Sequence, residues 1–329
     1  MNKSYKYIFL FMLLSICSSV LYAEEEEEKY EAKLIKKIYS FGTASINGTY
    51  YPFGNAISRL FSKNLKKLVT VAEPTAGSVA NVNLLRKKQI ELALIQSDVV
   101  WMAYQGNVIF SGNPYKELRV LASLYSEKVQ IVVRDDSGIN SLDDLKGKKI
   151  SVGERDSGSA AGAIQIFEAA GLKNNEDYQL VYERFTKATE LLSDGYIDAV
   201  YYVGGVPADG LVRLSEKTPI KLLEIPEIVI NKLTTAYPYY SRERIENNSY
   251  KGHEKPINTL GFKALLVGTT RLPSEEVINI LTVIYSNPKI LSDHEKVLVE
   301  LNKNDAIKGV DAKMLHDGAA AFFMNQSDK

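Results

Sequence analysis

The amino-acid sequence predicts an α/β protein built on at least two parallel sheets. Three observations lead there. Units of strand, polar turn and helix recur along the chain. The turns rich in glycine and hydroxyl residues mostly fall on the C-terminal side of a strand. The chain has 329 residues, a length that suggests about two domains.

Taken in order, "KIYSFGTA" reads as a first strand running into a glycine turn. "YPFGNAISRLFSKNL" follows, with Ile57, Leu60, Phe61 and Leu65 at helical spacing. "KLVTVAEP" is a short Val-rich strand, and "TAGSVANVNLLRKKQI" is a second glycine turn opening a second helix. "ELALIQSD" is a third strand and "VVWMAYQG" starts another helix. "ELRVLASLYSEKVQIVVRDDS" reads as two strands in succession. The pattern then repeats. "SLDDL" is a helix start, Lys149 to Val152 is a strand, and a glycine-serine turn opens a helix closed by Gly171. "YQLVYE" is a strand, and "TKATELLSDGYIDAVYYVGG" is helix, turn and strand. "VPADGLVRLSEKTPIKLLEIP" is again helix then strand. Asn231 to Asn258 reads as irregular and tyrosine-rich. "TLGFKALLVGTT" is a further strand, and Pro273 and Ser274 start a helix with Glu275 and Glu276 in its first turn. A helical tail runs to Lys329. In open α/β sheets ligands sit at the carboxyl ends of the strands, so the glycine turns are where function is sought.

Forty basic residues balance forty acidic ones, so no global field recruits nucleic acid or an anionic membrane. At the N-terminus, Lys3 and Lys6 precede the apolar "YIFLFMLLSI", and Ala23 offers a cleavage point before five glutamates. That is the layout of a signal peptide over residues 1–23; the apolar run is short of the roughly 20 residues that span a bilayer. A charged lead-in follows over 24–36. Cys17 is the only cysteine. The residue before it, Ile16, is not the small one that a lipid-anchor signal wants. After cleavage the chain has no thiol and no disulfide.

The turn at Phe41–Ile57, "FGTASINGTYYPFGNAI", sets the functional question. A phosphate loop, a nucleophile site and an anion-binding turn all combine glycines, hydroxyls and a following helix. A phosphate loop needs a Gly-Lys-Ser/Thr ending, yet no lysine occurs between Lys37 and Lys63. The G-x-G-x-x-G dinucleotide pattern is missing too, which leaves Glu73 at the second strand's end without a ribose role. No G-x-S-x-G elbow stands at a strand end. His253, His294 and His316 are off the strand-end turns, so catalysis and zinc are not expected. Asp135–Asp136 and Asp143–Asp144 read as structural. There remain the polar turns at 42–51, 75–82, 96–99 and 153–162, joined by 201–205. Helix N-terminal amides with nearby hydroxyls bind a carboxylate, and tyrosines supply apolar walls with a polar rim. Any one turn also reads as an ordinary helix cap; four or five of them on one exported chain point to a ligand cleft.

Several of these segments, in order and spacing, resemble the TAXI family of solute-binding proteins, receptors of one branch of the TRAP transporters. They are "FGTASINGTYYPFGNAISRL", "TAGSVANVNLLRKKQIELALIQSDVVWMAYQG", "LRVLASLYSEKVQIVVRDDSGINSLDDLKGKKISVGERDSGSAAGA", "DAVYYVGGVPADGLVRL", "GFKALLVGTTRLPSEEV" and "LHDGAAAFF". Ala44 and Asn47 replace two of the family's usual glycines, and Asp156-Ser157-Gly158-Ser159 stands for Gly-Ser-Gly-Thr. The resemblance implies a two-domain periplasmic-binding-protein fold of type II kind, with a ligand cleft between domains joined by hinge strands. Domain 1 is expected over 37–126 plus 262–329 and domain 2 over 127–261. It implies a periplasmic monomer without enzymatic activity, cofactor, metal or nucleic-acid partner. It takes a small carboxylate or amino-acid ligand, glutamate- or glutamine-like, to an integral membrane TRAP subunit. C4–C5 dicarboxylate binding, a ligand-sensing receptor domain and an exported α/β enzyme are the alternatives. Carried over by position, the ligand-binding residues are Gly42, Thr43, Ser45, Asn47, Thr49 and Tyr50 of the first loop, Ser78 and Gln96. From the second domain come Asp156, Ser157, Gly158, Ser159, Tyr202 and Gly204. Asp156 is expected to suit a ligand ammonium. Tyr50 is expected to face the ligand and Tyr51 the core.

Overall fold

The computed structural model describes residues 36–287 and 301–324. The expected signal peptide, all of the lead-in but Lys36, Cys17 and His294 lie outside the described residues. The chain begins with β1 (Lys37–Gly42), α1 (Tyr50–Asn64), β2 (Leu68–Glu73), α2 (Ser78–Arg86), β3 (Leu92–Gln96) and α3 (Ser97–Gln105). The long β4 (Leu118–Arg134) follows, then β5 (Lys148–Ser151), α4 (Gly158–Ala169), β6 (Tyr178–Val181), α5 (Phe185–Ser193) and β7 (Ala199–Gly204). After these come α6 (Asp209–Lys217), β8 (Ile220–Leu223), α7 (Glu227–Ala236), β9 (Ser241–Ile245), β10 (Ile257–Thr269), α8 (Ser274–Ser286) and α9 (Asp317–Met324).

The first helix shows how sequence becomes packing. Pro52 sits in the first turn, where its missing N–H costs nothing. Phe53, Ile57, Leu60 and Phe61 fall on one face and are buried. That face covers β1 and meets α8, α9 and the aromatic pair Phe53–Tyr125, whose centroids are 5.6 Å apart edge to face. The other face of the same strands is covered by α2 and α3, through Val82, Leu85, Val99 and Met102. A second pair of layers is built by α4 and α7 on one side of β5 and β7, and by α5 and α6 on the other. Two lobes result, each a sheet between helices.

The sheet is one continuous hydrogen-bonded path in the order β2-β1-β3-β10-β4-β7-β5-β6. The expected separate parallel sheets are thus a single mixed one. The flanks are parallel (β1 with β2 and β3, β5 with β6 and β7), and the middle is antiparallel. The stretch expected to hold two strands at 118–134 is one 17-residue strand. Its first part pairs β10 beside β3, and its last residues pair β7 and β8. β10 likewise pairs β9 at its start and β3 near its end. These two strands pass from one lobe to the other.

Three local expectations are corrected. The supposedly irregular 231–258 contains the end of α7 and all of β9. Asp143–Leu145 is a single 3-10 turn, in which Asp144 accepts the amides of Asn140 and Ser141. Tyr50, not Tyr51, is the tyrosine in the core, because the helix turns that side chain toward the sheet.

Asn81, on α2, fixes the loops that end β1 and β2. Its side chain is fully buried. Its amide donates to the Thr43 carbonyl at 2.8 Å and the Leu94 carbonyl at 2.9 Å, and its oxygen accepts the Thr75 hydroxyl at 2.8 Å. Asn81→Ala is expected to lower stability by about 2–3 kcal/mol, since it removes three hydrogen bonds at a fully buried site, although the Thr75 hydroxyl still donates to the Thr43 carbonyl. Urea unfolding measures the loss, and the slope of the transition is expected to stay unchanged.

Candidate functional site

A partly enclosed cavity lies between the lobes at the carboxyl ends of β1, β3 and β7. From the first lobe it is lined by Ser45, Gly48, Thr49, Tyr50, Gly77, Ser78 and Gln96. From the second come Gly153, Glu154, Ser157, Gly158, Ser159, Phe185, Tyr201 and Tyr202, and Glu127 of β4 joins them. About 80 Å³ is open to the centres of water-sized spheres. At roughly 10–15 Å³ per water on this measure, that is room for about half a dozen waters.

Three helix N-termini open on this space. Tyr50 begins α1, Ser78 begins α2 and Gly158 begins α4, and all three line the cavity. The polar loops exist because these helix starts need them. Gly77 has φ of +117°, a conformation glycine adopts freely, and a Cβ there would stand 3.4 Å from the Ser157 Cα. Ser157 caps α4 by accepting the Ala160 amide at 3.1 Å. Each N-terminus carries about half a positive charge in its unpaired amides, and here three converge from two lobes.

Facing them is a buried carboxylate. Glu127 is 2% exposed, and one of its oxygens accepts the Tyr50 hydroxyl at 2.7 Å. Burial pushes its carboxyl up to about 8; the Tyr50 hydrogen bond opposes that shift and the neighbouring charge of Asp98 adds to it. Asp98, fully buried on α3, is pushed up to about 7 by burial against the pull of the Val99 amide. Burial together with Glu127 raises the Tyr50 phenol well above its ordinary value. Gln96 is 3% exposed, and neither its side-chain oxygen nor its nitrogen meets a protein partner. A buried amide in that condition is poised for a ligand.

The lobes touch around the cavity. The Ala80 amide donates to the Asp156 carbonyl at 3.0 Å. The Gly205 amide donates to the Thr49 hydroxyl at 3.2 Å, which lies 3.5 Å from the Tyr202 hydroxyl. At the rim, the Asn47 amide donates to Thr186 at 2.6 Å, and Arg213 donates to the Asn47 oxygen at 3.4 Å. A Cβ on Gly158 would stand 1.5 Å from the Gln96 oxygen and 2.8 Å from the Ser78 hydroxyl. The absence of a side chain there lets the lobes close this far.

The structure brings together Ser45, Thr49, Tyr50, Ser78, Gln96, Ser157, Gly158, Ser159 and Tyr202 around the cavity. The other five expected residues stand elsewhere. Gly42 ends β1 against Asn81 and Ile90, and Thr43 is fully buried with its hydroxyl donating to the Glu73 carbonyl at 2.6 Å. Gly204 lies under the Tyr202 ring. Asn47 is in the rim latch, beside a second hollow lined by Arg213 and Lys217. The Asp156 side chain is exposed, and it is the backbone of that residue that crosses the cleft. Glu127 and Phe185 also line the cavity, and neither falls in a polar turn singled out from the sequence. Phe185 stacks on Tyr202 at 4.0 Å and 15°. The signal for Glu127 was an acidic residue in the middle of a strand sequence, "SLYSEKVQIVV", where neither end of the strand is near.

The NMT1-like family matches the chain over residues 41–326. Among solved structures, an ancestral arginine-binding protein bound to arginine is similar at 16% identity. It covers 80% of this chain and 99% of its own, with a TM-score of 0.49. The substrate-binding protein of an amino acid ABC transporter is similar at 15% identity, 81% and 100% coverage and a TM-score of 0.48. The periplasmic aliphatic sulphonate-binding protein of Escherichia coli is similar at 16% identity, 78% and 74% coverage and a TM-score of 0.46. Two sheet-and-helix lobes flank a cleft, with β10 between β3 and β4, which is the two-lobed arrangement of the expected type II fold.

The buried acids predict a pH dependence. Between about pH 4 and pH 8 the unfolded chain loses protons that folded Glu127 and Asp98 keep, so stability of the ligand-free protein falls as pH rises. The slope is up to about 1.4 kcal/mol per pH unit for each carboxyl. Melting curves from pH 5 to pH 8 are expected to show it, and Glu127→Gln is expected to flatten the upper part of that window.

Proposed function

This chain belongs to the NMT1-like family, and from that premise we propose that it is an extracytoplasmic solute receptor for a small amino acid. It closes its lobes on the ligand and presents it to an integral membrane transport subunit, of TRAP type on the loop resemblance. The observation that carries this reading is the pairing of opposite chemistries across one partly enclosed cavity. Buried Glu127 faces the N-termini of α1, α2 and α4. A zwitterion matches both ends: its carboxylate takes helix amides, and its ammonium neutralises Glu127. Gln96 supplies a buried donor and acceptor for a polar side chain.

The lining also grades the candidates. Among the described residues that form it there is no Lys, Arg or His, while Glu127 and Glu154 are both present. A second ligand carboxylate finds no counter-charge, so a glutamine-like side chain is favoured over glutamate and over C4–C5 dicarboxylates. Five serines line the space without a histidine or lysine among the lining residues to activate them, which supports a binding protein over an enzyme.

Ligand uptake is expected to release a proton near neutral pH. A bound ammonium favours the ionised form of Glu127, which otherwise titrates near 8. Calorimetry at pH 6.5 in buffers of different ionisation enthalpy reads that release directly. Thermal shift against amino acids and dicarboxylates is expected to rank glutamine above glutamate. A ligand at about 100 times its Kd adds roughly 2.7 kcal/mol. Glu127→Gln is expected to weaken amino-acid binding by about 30-fold or more, the loss of a buried charge pair. Equal affinity in that variant would refute the ammonium role. Gly158→Ala, which drives a methyl group into Gln96 across the cleft, is expected to weaken binding about tenfold, or about 1.4 kcal/mol, with little loss of stability.

A further inference from the structure

A larger cavity lies on the reverse side of the crossing strands. About 520 Å³ is open there to the centres of water-sized spheres. Glu127 and Ser126 are neighbours on β4, so their side chains point to opposite faces. Glu127 faces the cleft; Ser126 and its cross-strand partner Lys263 face away from it. Lys263 lines the reverse cavity together with Trp101 and Val100 of α3, Leu265 of β10, and Tyr239 and Tyr240 from the other lobe. The cavity therefore spans both lobes at the hinge and shares no lining residue with the cleft.

Its chemistry is specific. The walls are aromatic and aliphatic: the rings of Trp101 and Tyr239 stand 5.4 Å apart, and those of Tyr239 and Tyr240 5.0 Å apart. The ammonium of Lys263 is half-buried and donates to the neutral Ser126 hydroxyl at 2.6 Å. Among the described residues no carboxylate pairs with it. At the exposed mouth Lys308 is paired with Asp305 at 3.8 Å, and Asp311 is the one acidic residue of the lining, so Lys263 is the lining cation without a carboxylate partner among the described residues. An apolar enclosure with one under-neutralised cation selects an amphiphilic anion.

We propose that this reverse cavity is a second small-molecule site, which takes a small aromatic or aliphatic carboxylate with its charge on Lys263 and its hydrocarbon part against Trp101, Tyr239 and Tyr240. The site does not depend on the amino-acid reading of the cleft.

Trp101 is the only tryptophan in the chain, so its fluorescence reports the cavity directly. Phenylacetate and octanoate are the probes. Each is expected to change Trp101 emission saturably, with half-saturation below about 10 mM, an affinity of roughly 3 kcal/mol or better. Phenethylamine, with the charge reversed, is expected to give no saturable change. Lys263→Met is expected to weaken the carboxylates about tenfold, the loss of one charge-assisted hydrogen bond, and Lys263→Arg to keep most of the binding. A melting curve on each variant checks folding, and thermal shift by phenylacetate on Trp101→Phe checks binding without the fluorophore. No saturable change with either carboxylate overturns the proposal, including the case in which a segment of this chain outside the described residues fills the cavity. So does equal binding of the amine, or undiminished affinity in folded Lys263→Met.

Discussion

The antiparallel ladder between β4 and β10 is the constraint on which the rest depends. It runs from Leu118–Thr269 to Lys128–Gly261, and it belongs to both lobes at once. Hydrogen bonds cannot be dropped from a buried ladder without leaving orphaned donors and acceptors. The two lobes are therefore held at a fixed joint. The joint has two faces, and each carries a cavity. Alternation along β4 puts Glu127 on one face and Ser126 on the other, so neighbouring residues serve opposite sides of the hinge.

Placing an ionisable group at this joint has an electrostatic consequence. Glu127 and Asp98 are removed from water, with no cationic side chain beside them among the described residues. Burial then favours their neutral forms. A bound cationic group restores what burial removed, and couples occupancy of the cleft to ionisation. The same reasoning bears on selectivity. Helix N-termini offer only partial charge, enough to favour one ligand carboxylate, and a second would stand beside acidic residues.

Closure itself is built from small contacts. Gly77 against Ser157, Gly158 against Gln96, and Ala80 against Asp156 bring two backbones to van der Waals and hydrogen-bond distance. The Asn47 latch and the Thr49 contacts add polar links at the rim and wall. None of these is a large apolar interface. An assembly of short polar contacts is separable, which suits the proposed closure.

The sequence by itself determined the local elements and the polar turns. Strand-turn-helix order, the apolar stripe of α1, the cap at Ser157 and the loops around Ser45, Ser78 and Ser157 follow from short-range periodicity and capping chemistry, which act within a few residues. Tertiary structure decided the rest. It merged two expected strands into β4, because strand length is set by partners far away in the chain. It made the sheet mixed, because the crossing strands must serve both lobes. It buried Glu127 against Tyr50, 77 positions apart, and sent the Asp156 side chain to the surface. It turned Asn47 into a rim latch. Which side chains converge on a cavity depends on contacts between residues distant in sequence, and no local pattern encodes them.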